Sequence, residues 1–285
     1  MVKTVRRELT TTMTITPGAS VRPNELPRTM KTVETNWDII HLLEELDGAR
    51  VTEIAKRLSI PKSTVSTHLA TLKQGKYVVN DGGEYRLSLY FMNIGEYVRN
   101  KSIVYRAGKE ETERLARDTE EYTHIVAEEY GRAIYLHETQ GERAVGEDYF
   151  SKQFETPGDL HSSAYGKAIL AYLPEDQVER VTEDYDLSVR TENTITTTEE
   201  LLEELERVRE RGFSLNDGEE IPGMRAVGAP IQESDGSVFG AVSVSKPASR
   251  MREKEFRETI PEIVMSTANV IEVNIETSRN VVDRS

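Results

Sequence analysis

The chain has 285 residues, enough for roughly two domains of about 100 to 200 residues each. Its 37% hydrophobic and 30% charged residues are typical of a globular protein with a heavily charged surface. The absence of cysteine excludes disulfides, zinc–thiolate sites, iron–sulfur clusters and cysteine nucleophiles. Because no apolar run is long enough to span a bilayer and the N-terminus lacks a signal peptide's apolar block, we expect a cytoplasmic protein with no membrane partner.

Charge is distributed unevenly along the chain. Residues 1–102 carry 15 Lys and Arg against 11 Asp and Glu, whereas residues 103–285 carry 21 against 39. Only the N-terminal part is therefore suited to meet a polyanion. Few of the basic residues are lysine, and this acidic, lysine-poor composition predicts a halophilic origin; the alternative is an ordinary acidic cytosolic protein.

Residues 1–30 are rich in Thr, Pro and Arg and show no apolar periodicity, which predicts a flexible tail. Its arginines could contact DNA phosphates. The simpler interpretation is a dispensable extension, or a start placed too early, since Met30 directly precedes the first periodic segment.

Three helices are predicted next. The first covers residues 33–46, with a buried face formed by Trp37, Ile40, Leu43 and Leu46. The second is VTEIAKRL. The third, KSTVSTHLATLKQ, is expected to have Pro61 at its first position and Gly75 as its stop signal.

Two short strands, YVV and EYRL, follow the third helix and are joined by Asn-Asp-Gly-Gly, a sequence that supplies the positive φ angles of a hairpin turn. Three helices and a hairpin predict a winged helix-turn-helix over residues 31–87. The outward side of its third helix carries small hydroxyls and a lysine that suit the major groove, while the hairpin glycines permit close approach to the backbone. The candidate DNA-binding residues are Lys62, Ser63, Thr64, Ser66, Thr67, Thr71, Gly82, Gly83 and Arg86.

The rest of the chain predicts an α+β domain. A linker helix is expected over residues 88–102, a domain of strands and helices over residues 103–278, and a tail over residues 279–285. Within that domain Thr197 and Glu200 have capping-box spacing, and a final helix is predicted from about residue 252 to 277.

The segment HSSAYGKA predicts a second site. Ser162 or Ser163 would cap a helix whose first amides, around residues 164–166, could bind an anion. The equally weighted alternative is that these small residues only let the helix pack closely on a sheet.

The motifs VTEIAKRLSIPKSTVSTHLATLKQGKYVV, LHSSAYGKAILAYLP, GFSLNDGEEIPGMRAVGAPI and GAVSVSKP occur in this order. Together they resemble the IclR family of transcriptional regulators over residues 33 to about 275, and the acidic composition looks like a haloarchaeal member. The resemblance implies a winged helix, a dimerising linker helix and a C-terminal effector domain with a GAF-like antiparallel sheet flanked by helices. It also implies a homodimer or a homotetramer.

The same resemblance implies an effector pocket. Its residues here would be Phe150, Ala164, Tyr165, Asn216, Met224, Ala226, Ser243 and Ser245. This chain departs from the family in having Asn216 where Asp is frequent, Ala226 where Cys is frequent, and the bulky Tyr165 where smaller residues are common. A polar or acidic metabolite, such as a sugar acid or an aromatic acid, is therefore expected.

Enzymatic interpretations are disfavoured by the sequence. His161, Ser162 and Ser163 are adjacent and would diverge on a helix. Asp217, Glu219 and Glu220 are expected to be a solvated acidic loop rather than metal ligands with His124 or His137, and no Walker or dinucleotide motif occurs. We therefore expect no metal, no cofactor and no catalytic residue.

The sequence thus predicts a regulator, repressor or activator, whose dimer reads an inverted-repeat operator in double-stranded DNA and whose C-terminal domain binds a small-molecule effector. The alternative is a ligand-binding or protein-interaction module whose winged helix contacts protein instead of DNA.

Overall fold

The structure is a computed structural model that describes residues 28–145 and 157–282. The described part contains a small three-stranded sheet, a larger five-stranded sheet and the helices around them. None of its helices has the length and apolar character needed to span a membrane. The predicted α+β class, with an N-terminal helix-turn-helix and a C-terminal antiparallel sheet, is confirmed.

The N-terminal helices are α1 (Lys31–Glu45), α2 (Val51–Arg57) and α3 (Lys62–Gln74). The predicted buried face of α1 is wrong at Trp37, whose side chain is 55% exposed. Steps of three residues turn about 300°, so residues at that spacing drift around a helix of 3.6 residues per turn. The buried residues of α1 are Ile39, Ile40, Leu42 and Leu43.

Both ends of α3 differ in detail from expectation. Pro61 is the N-cap, with extended φ −61° and ψ 142°, and is not the first helical residue. Gly75 keeps a right-handed φ of −73°, and the left-handed residue is Lys76 at φ 67°. Gly75 is required for space instead, because a Cβ there would lie 2.9 Å from Cδ2 of Tyr77.

The small sheet comprises β1 (Ala49–Arg50), β2 (Val78–Asp81) and β3 (Glu84–Leu87), in the order β1-β3-β2. The β2–β3 hairpin was expected, whereas β1 was not. Gly82 and Gly83 connect β2 to β3 with φ of 57° and 91°, the positive pair that a tight hairpin turn requires.

Helix α4 (Tyr90–Lys101) leads from this sheet to α5 (Ile103–Thr119). Ser102 lies between the two helices and accepts a hydrogen bond from the Tyr105 amide, so it caps α5. Unlike the other helices of its length, α4 buries none of its residues within this single chain.

The larger sheet is antiparallel, in the order β5-β4-β8-β7-β6. Its strands are β4 (Tyr122–Glu129), β5 (Arg132–Thr139), β6 (Ser214–Asp217), β7 (Met224–Gln232) and β8 (Val238–Pro247). One face packs on α5 and the last helix through an apolar core that includes Ile125, Val242 and Ile271. The opposite face packs on the helices that precede β6.

Those helices are α6 (Ala164–Leu170), α7 (Glu175–Asp184) and α8 (Thr198–Arg211). The expected cap of α8 is present, because Thr197 accepts a hydrogen bond from the Glu200 amide, whereas α7 was not predicted. The last helical segment begins close to the expected residue, but a π-helical turn (Glu255–Thr259) precedes α9 (Ile260–Val282), and the helix ends later than expected.

Candidate functional site

The first candidate surface is the outward side of α3. Val65, Leu69 and Leu72 are buried and hold this helix on the small domain's core. The opposite side is consequently exposed along its whole length. It carries the predicted residues Lys62, Ser63, Ser66, Thr67 and Thr71, while Thr64 is half-buried.

The hydroxyls on α3 differ in whether their hydrogen is already donated within the helix. Thr67 donates to the Ser63 carbonyl over 3.0 Å, and Thr71 donates to the Thr67 carbonyl over 3.0 Å. The side-chain hydroxyls of Ser63 and Ser66 make no hydrogen bond to any described residue. The serines can therefore donate to a base or phosphate directly, whereas the threonines present a methyl group and an acceptor oxygen.

The wing is the β2–β3 hairpin. Gly82 and Gly83 are exposed at its tip, as expected. Arg86 is also exposed, but its Nε and Nη2 donate to Glu84 Oε1 over 3.0 and 2.8 Å. The hydrogen bond and the charge of Glu84 raise the pKa of Arg86, so this guanidinium already has an anionic partner.

The second candidate site lies on the face of the large sheet that meets α6. The antiparallel register aligns Asn216, Ala226 and Ser245 in one cross-strand row. The next row contains Gly228, Ser243 and His124. Four strands, β4, β6, β7 and β8, thus place on one face side chains that are far apart in sequence. Met224 begins β7 at the edge of the same face, and Phe150 lies outside the described residues.

Helix α6 covers this face at close range. Ser214 donates to the Ala164 carbonyl, and Asn216 Nδ2 donates to the Ser162 carbonyl over 2.7 Å. A Cβ on Gly228 would lie 2.7 Å from the Ala164 carbonyl carbon, so only glycine permits this approach. Close packing thus accounts for these small residues, as one of the two sequence interpretations had it.

The other interpretation of this segment was an anion site at the start of α6. Ser163 is the cap, and it accepts a hydrogen bond from the Gly166 amide over 3.1 Å. One of the amides predicted to be free is therefore already used. Ser162 is buried, and its Oγ has no hydrogen-bond partner within the described ranges.

Four side chains that the sequence did not single out for the pocket join this face. The phenol of Tyr165 on α6 hydrogen-bonds to that of Tyr135 on β5 and donates to Glu220 Oε1 over 3.1 Å. His124 lies between these rings and Glu138, with Nε2 3.2 Å from Glu138 Oε2. Loss of hydration raises the pKa of Glu220 to about 7, against the opposing hydrogen bond from Tyr165.

The loop from β6 to β7 is anchored to α6 by a buried ion pair. Nζ of Lys167 lies 2.5 and 2.6 Å from the two carboxylate oxygens of Glu219. The Glu219 amide also donates to Asn216 Oδ1 over 2.8 Å. These contacts fix the loop that presents Glu220 to Tyr165, so Glu219 is a structural residue and not part of a solvated acidic run.

Neither enzymatic constellation weighed from the sequence is assembled. His161 Nε2 hydrogen-bonds to the Ser188 carbonyl over 3.2 Å, and burial lowers the pKa of this imidazole. The described part of the chain contains no group of three His, Asp or Glu side chains placed to hold a metal ion.

Two family models match the chain. The IclR helix-turn-helix domain matches residues 37–82, and the bacterial transcriptional regulator IclR C-terminal domain matches residues 95–273. Between them they cover both candidate surfaces.

Curated relatives agree with these matches. The probable HTH-type transcriptional regulator ArcR of Halobacterium salinarum is 40% identical, over 90% of this chain and 97% of its own. The HTH-type transcriptional regulator KdgR of Escherichia coli is 29% identical, over 82% of this chain and 89% of its own. The haloarchaeal relative supports the halophilic origin that the composition predicted.

Solved structures share the fold. The Thermotoga maritima IclR structure aligns with 87% of this chain and 99% of its own, with a TM-score of 0.69 and 23% identity. An IclR homologue from Microbacterium hydrocarbonoxydans complexed with 4-hydroxybenzoate aligns with 86% of this chain and 99% of its own, with a TM-score of 0.72 and 19% identity.

Proposed function

The chain belongs to the IclR family of transcriptional regulators, and from that premise we propose that its dimer binds an inverted-repeat operator in double-stranded DNA under the control of a small polar metabolite. Both matching family models describe parts of transcriptional regulators. The interpretation of the winged helix as a protein-binding module is not favoured.

The exposed hydroxyl face of α3 is the observation that carries the DNA part of the proposal. Small hydroxyls let a helix approach base edges closely, and Lys62 adds attraction to the phosphates. We assign base or backbone contacts to the α3 residues Lys62, Ser63, Thr64, Ser66, Thr67 and Thr71, and backbone approach to the wing glycines Gly82 and Gly83.

Dimerisation is proposed through α4. At 100° per residue its residues Tyr90, Ile94, Tyr97 and Val98 fall on one side of the helix. Tyr90, Tyr97 and Val98 are 44%, 65% and 60% exposed, so this apolar stripe is unburied within one chain. A second copy would cover it, and pairing of two such dimers would give a tetramer.

The effector is proposed to bind between α6 and the sheet. Ala164, Tyr165, Asn216, Ala226, Ser243 and Ser245 gather there, and Phe150 and Met224 complete the set carried over from the family. Ser162 Oγ at the start of α6 is buried without a hydrogen-bond partner in the described part of the chain, and such a group favours a ligand that hydrogen-bonds to it. A small polar or acidic metabolite fits this lining.

Effector control would pass through the junction of α4 and α5. The Arg99 guanidinium of α4 lies 5.1 Å above the Tyr105 ring of α5, and that ring meets His137 of β5 edge-on at 5.9 Å. An effector that binds one geometry of this junction more tightly than another would change the spacing of the two recognition helices.

The experiment is selection of duplexes from a random-sequence pool by the full-length protein. We expect enrichment of a palindrome with half-sites about one helical turn apart, and binding that weakens as salt rises through counterion release. Failure to enrich any sequence would contradict the proposal. If the protein instead associates with a protein partner and this association persists at high salt, the winged helix contacts protein rather than DNA.

A further inference from the structure

The wing carries two arginines in different electrostatic situations. Arg86 is paired with Glu84, and the carboxylates of Asp47 and Asp81 also act on its charge. To bind a phosphate, Arg86 would have to leave Glu84, and the freed carboxylate would then repel that phosphate at close range. Arg86 is therefore poorly placed to attract DNA, although the sequence alone makes it the obvious candidate.

Arg50 lies beside the same turn. It belongs to β1, faces Glu84 in the register of β1 with β3, and is exposed. Its Nη1 lies 3.4 Å from the position that a Cβ would occupy on Gly83, so the guanidinium rests against the wing tip. No carboxylate in the described part of the chain pairs with it, and the one it faces, Glu84, is paired with Arg86.

The space in front of this tip is open. A Cβ on Gly82 would meet no atom within 4 Å, so nothing in the described ranges blocks approach to the turn. A free, planar guanidinium next to an open turn matches the geometry of a phosphate oxygen pair.

We propose that Arg50 is the residue through which the wing binds a DNA backbone phosphate, and that Arg86 neutralises Glu84 instead of contacting DNA. This inference rests on the proposed DNA-binding function. It goes further in assigning the wing contact to a strand that the sequence pattern does not reveal and in reversing the role of Arg86.

The test uses fluorescence anisotropy of a labelled duplex of arbitrary sequence, because phosphate contacts do not depend on the operator. Full-length Arg50→Ala should weaken binding and reduce the slope of log K against log salt by about 0.9 for each phosphate that Arg50 neutralises. Arg50→Lys should retain most of the slope. The neutral double variant Glu84→Gln/Arg86→Gln, which leaves the net charge unchanged, should bind as the wild type does.

A variant that binds more tightly provides a second test. Glu84→Gln alone frees Arg86 and removes a repulsive carboxylate, so it should raise affinity and partly restore binding to Arg50→Ala. Matching unfolding temperatures would show that the variants fold. An unchanged salt slope in Arg50→Ala, or an equal loss of affinity in the neutral double variant, would overturn the inference. If the wild type binds no duplex at any salt, the proposed function fails as well.

Discussion

Tyr165 on α6 donates a hydrogen bond to Glu220 over 3.1 Å, and this contact joins the helix to the loop between β6 and β7. The same phenol also hydrogen-bonds to Tyr135 on the edge strand β5. Tyr165 is thus the point at which helix, loop and sheet meet. Because Tyr165 connects these three elements in the proposed effector site, its substitution is expected to change the effector response.

Glu220 predicts a pH-dependent stability. Its pKa in the folded protein is about 7, raised from 4.5. Between those values the folded state holds a proton that the unfolded state has lost, so the free energy of unfolding falls as pH rises, by at most about 1.4 kcal/mol per pH unit. The loss is complete about one pH unit above 7.

We therefore expect Glu220→Gln to gain stability relative to the wild type as pH rises from about 5 to 8 at constant salt. Chemical denaturation at each pH measures this difference. Glu206→Gln, at an exposed position of α8, is the matched control and should follow the wild type. A constant difference between Glu220→Gln and the wild type across this range would refute the prediction.

Lys167 predicts a large stability effect. Its side chain is 1% exposed, and Nζ lies 2.5 Å from Glu219 and 4.0 Å from Glu204. Lys167→Met would leave the Glu219 carboxylate unpaired and buried, at a cost of about 3 to 5 kcal/mol. Lys167→Met/Glu219→Gln should cost less than the single substitution, and exposed Lys254→Met should be neutral. Urea denaturation would contradict this if the single and double variants were equally stable.

Substitutions on the exposed side of α3 are expected to reduce sequence-specific DNA binding. Ser63→Ala/Thr67→Ala should weaken operator binding by about 1 to 3 kcal/mol for each base contact removed, while binding to unrelated duplexes changes less. Titration of the operator and of an unrelated duplex at one salt concentration measures the ratio of the two affinities. Ser266→Ala, at an exposed position of α9, serves as the control. Equal affinities for the double variant and the wild type would exclude α3 as the element that reads the operator.

The apolar stripe of α4 predicts the oligomeric state. Light scattering should give at least twice the 32.3 kDa chain mass for the wild type. Val98→Glu places a charge on the stripe and should shift the protein towards monomer, because burying an unpaired charge is costly. Met92→Glu, the same kind of substitution on the opposite side of the same helix, should keep the wild-type mass. A monomeric wild type would contradict the proposed dimer.

Short-range patterns predicted the DNA-binding region well. The apolar spacing of Val65, Leu69 and Leu72 fixes which side of α3 faces outward, and Gly82 and Gly83 fix the turn of the wing. Both predictions depend only on residues that are close together in the sequence. The strand β1 was missed because a strand of two residues shows no periodicity. Without β1, the sequence could not show that Arg50 lies beside the wing.

The face of the large sheet under α6 was less accessible to prediction. Ser243 and His124 are 119 residues apart, and Tyr135 is 30 residues from Tyr165. Only the strand order β5-β4-β8-β7-β6 and its register bring them together. Glu219 and Glu220 were expected to be solvated because acidic runs usually are, and the long-range partners Lys167 and Tyr165 decide otherwise.

The most direct test of the account is chromatin immunoprecipitation of the tagged protein across its own genome, before and after a change of carbon source, alongside the Ser63→Ala/Thr67→Ala variant. We predict enrichment at a few intergenic sites that share a palindrome, occupancy that changes with the carbon source, and loss of these sites in the variant. Absence of enrichment in both conditions, or equal enrichment of the variant, would contradict the central claim that α3 reads an operator under effector control.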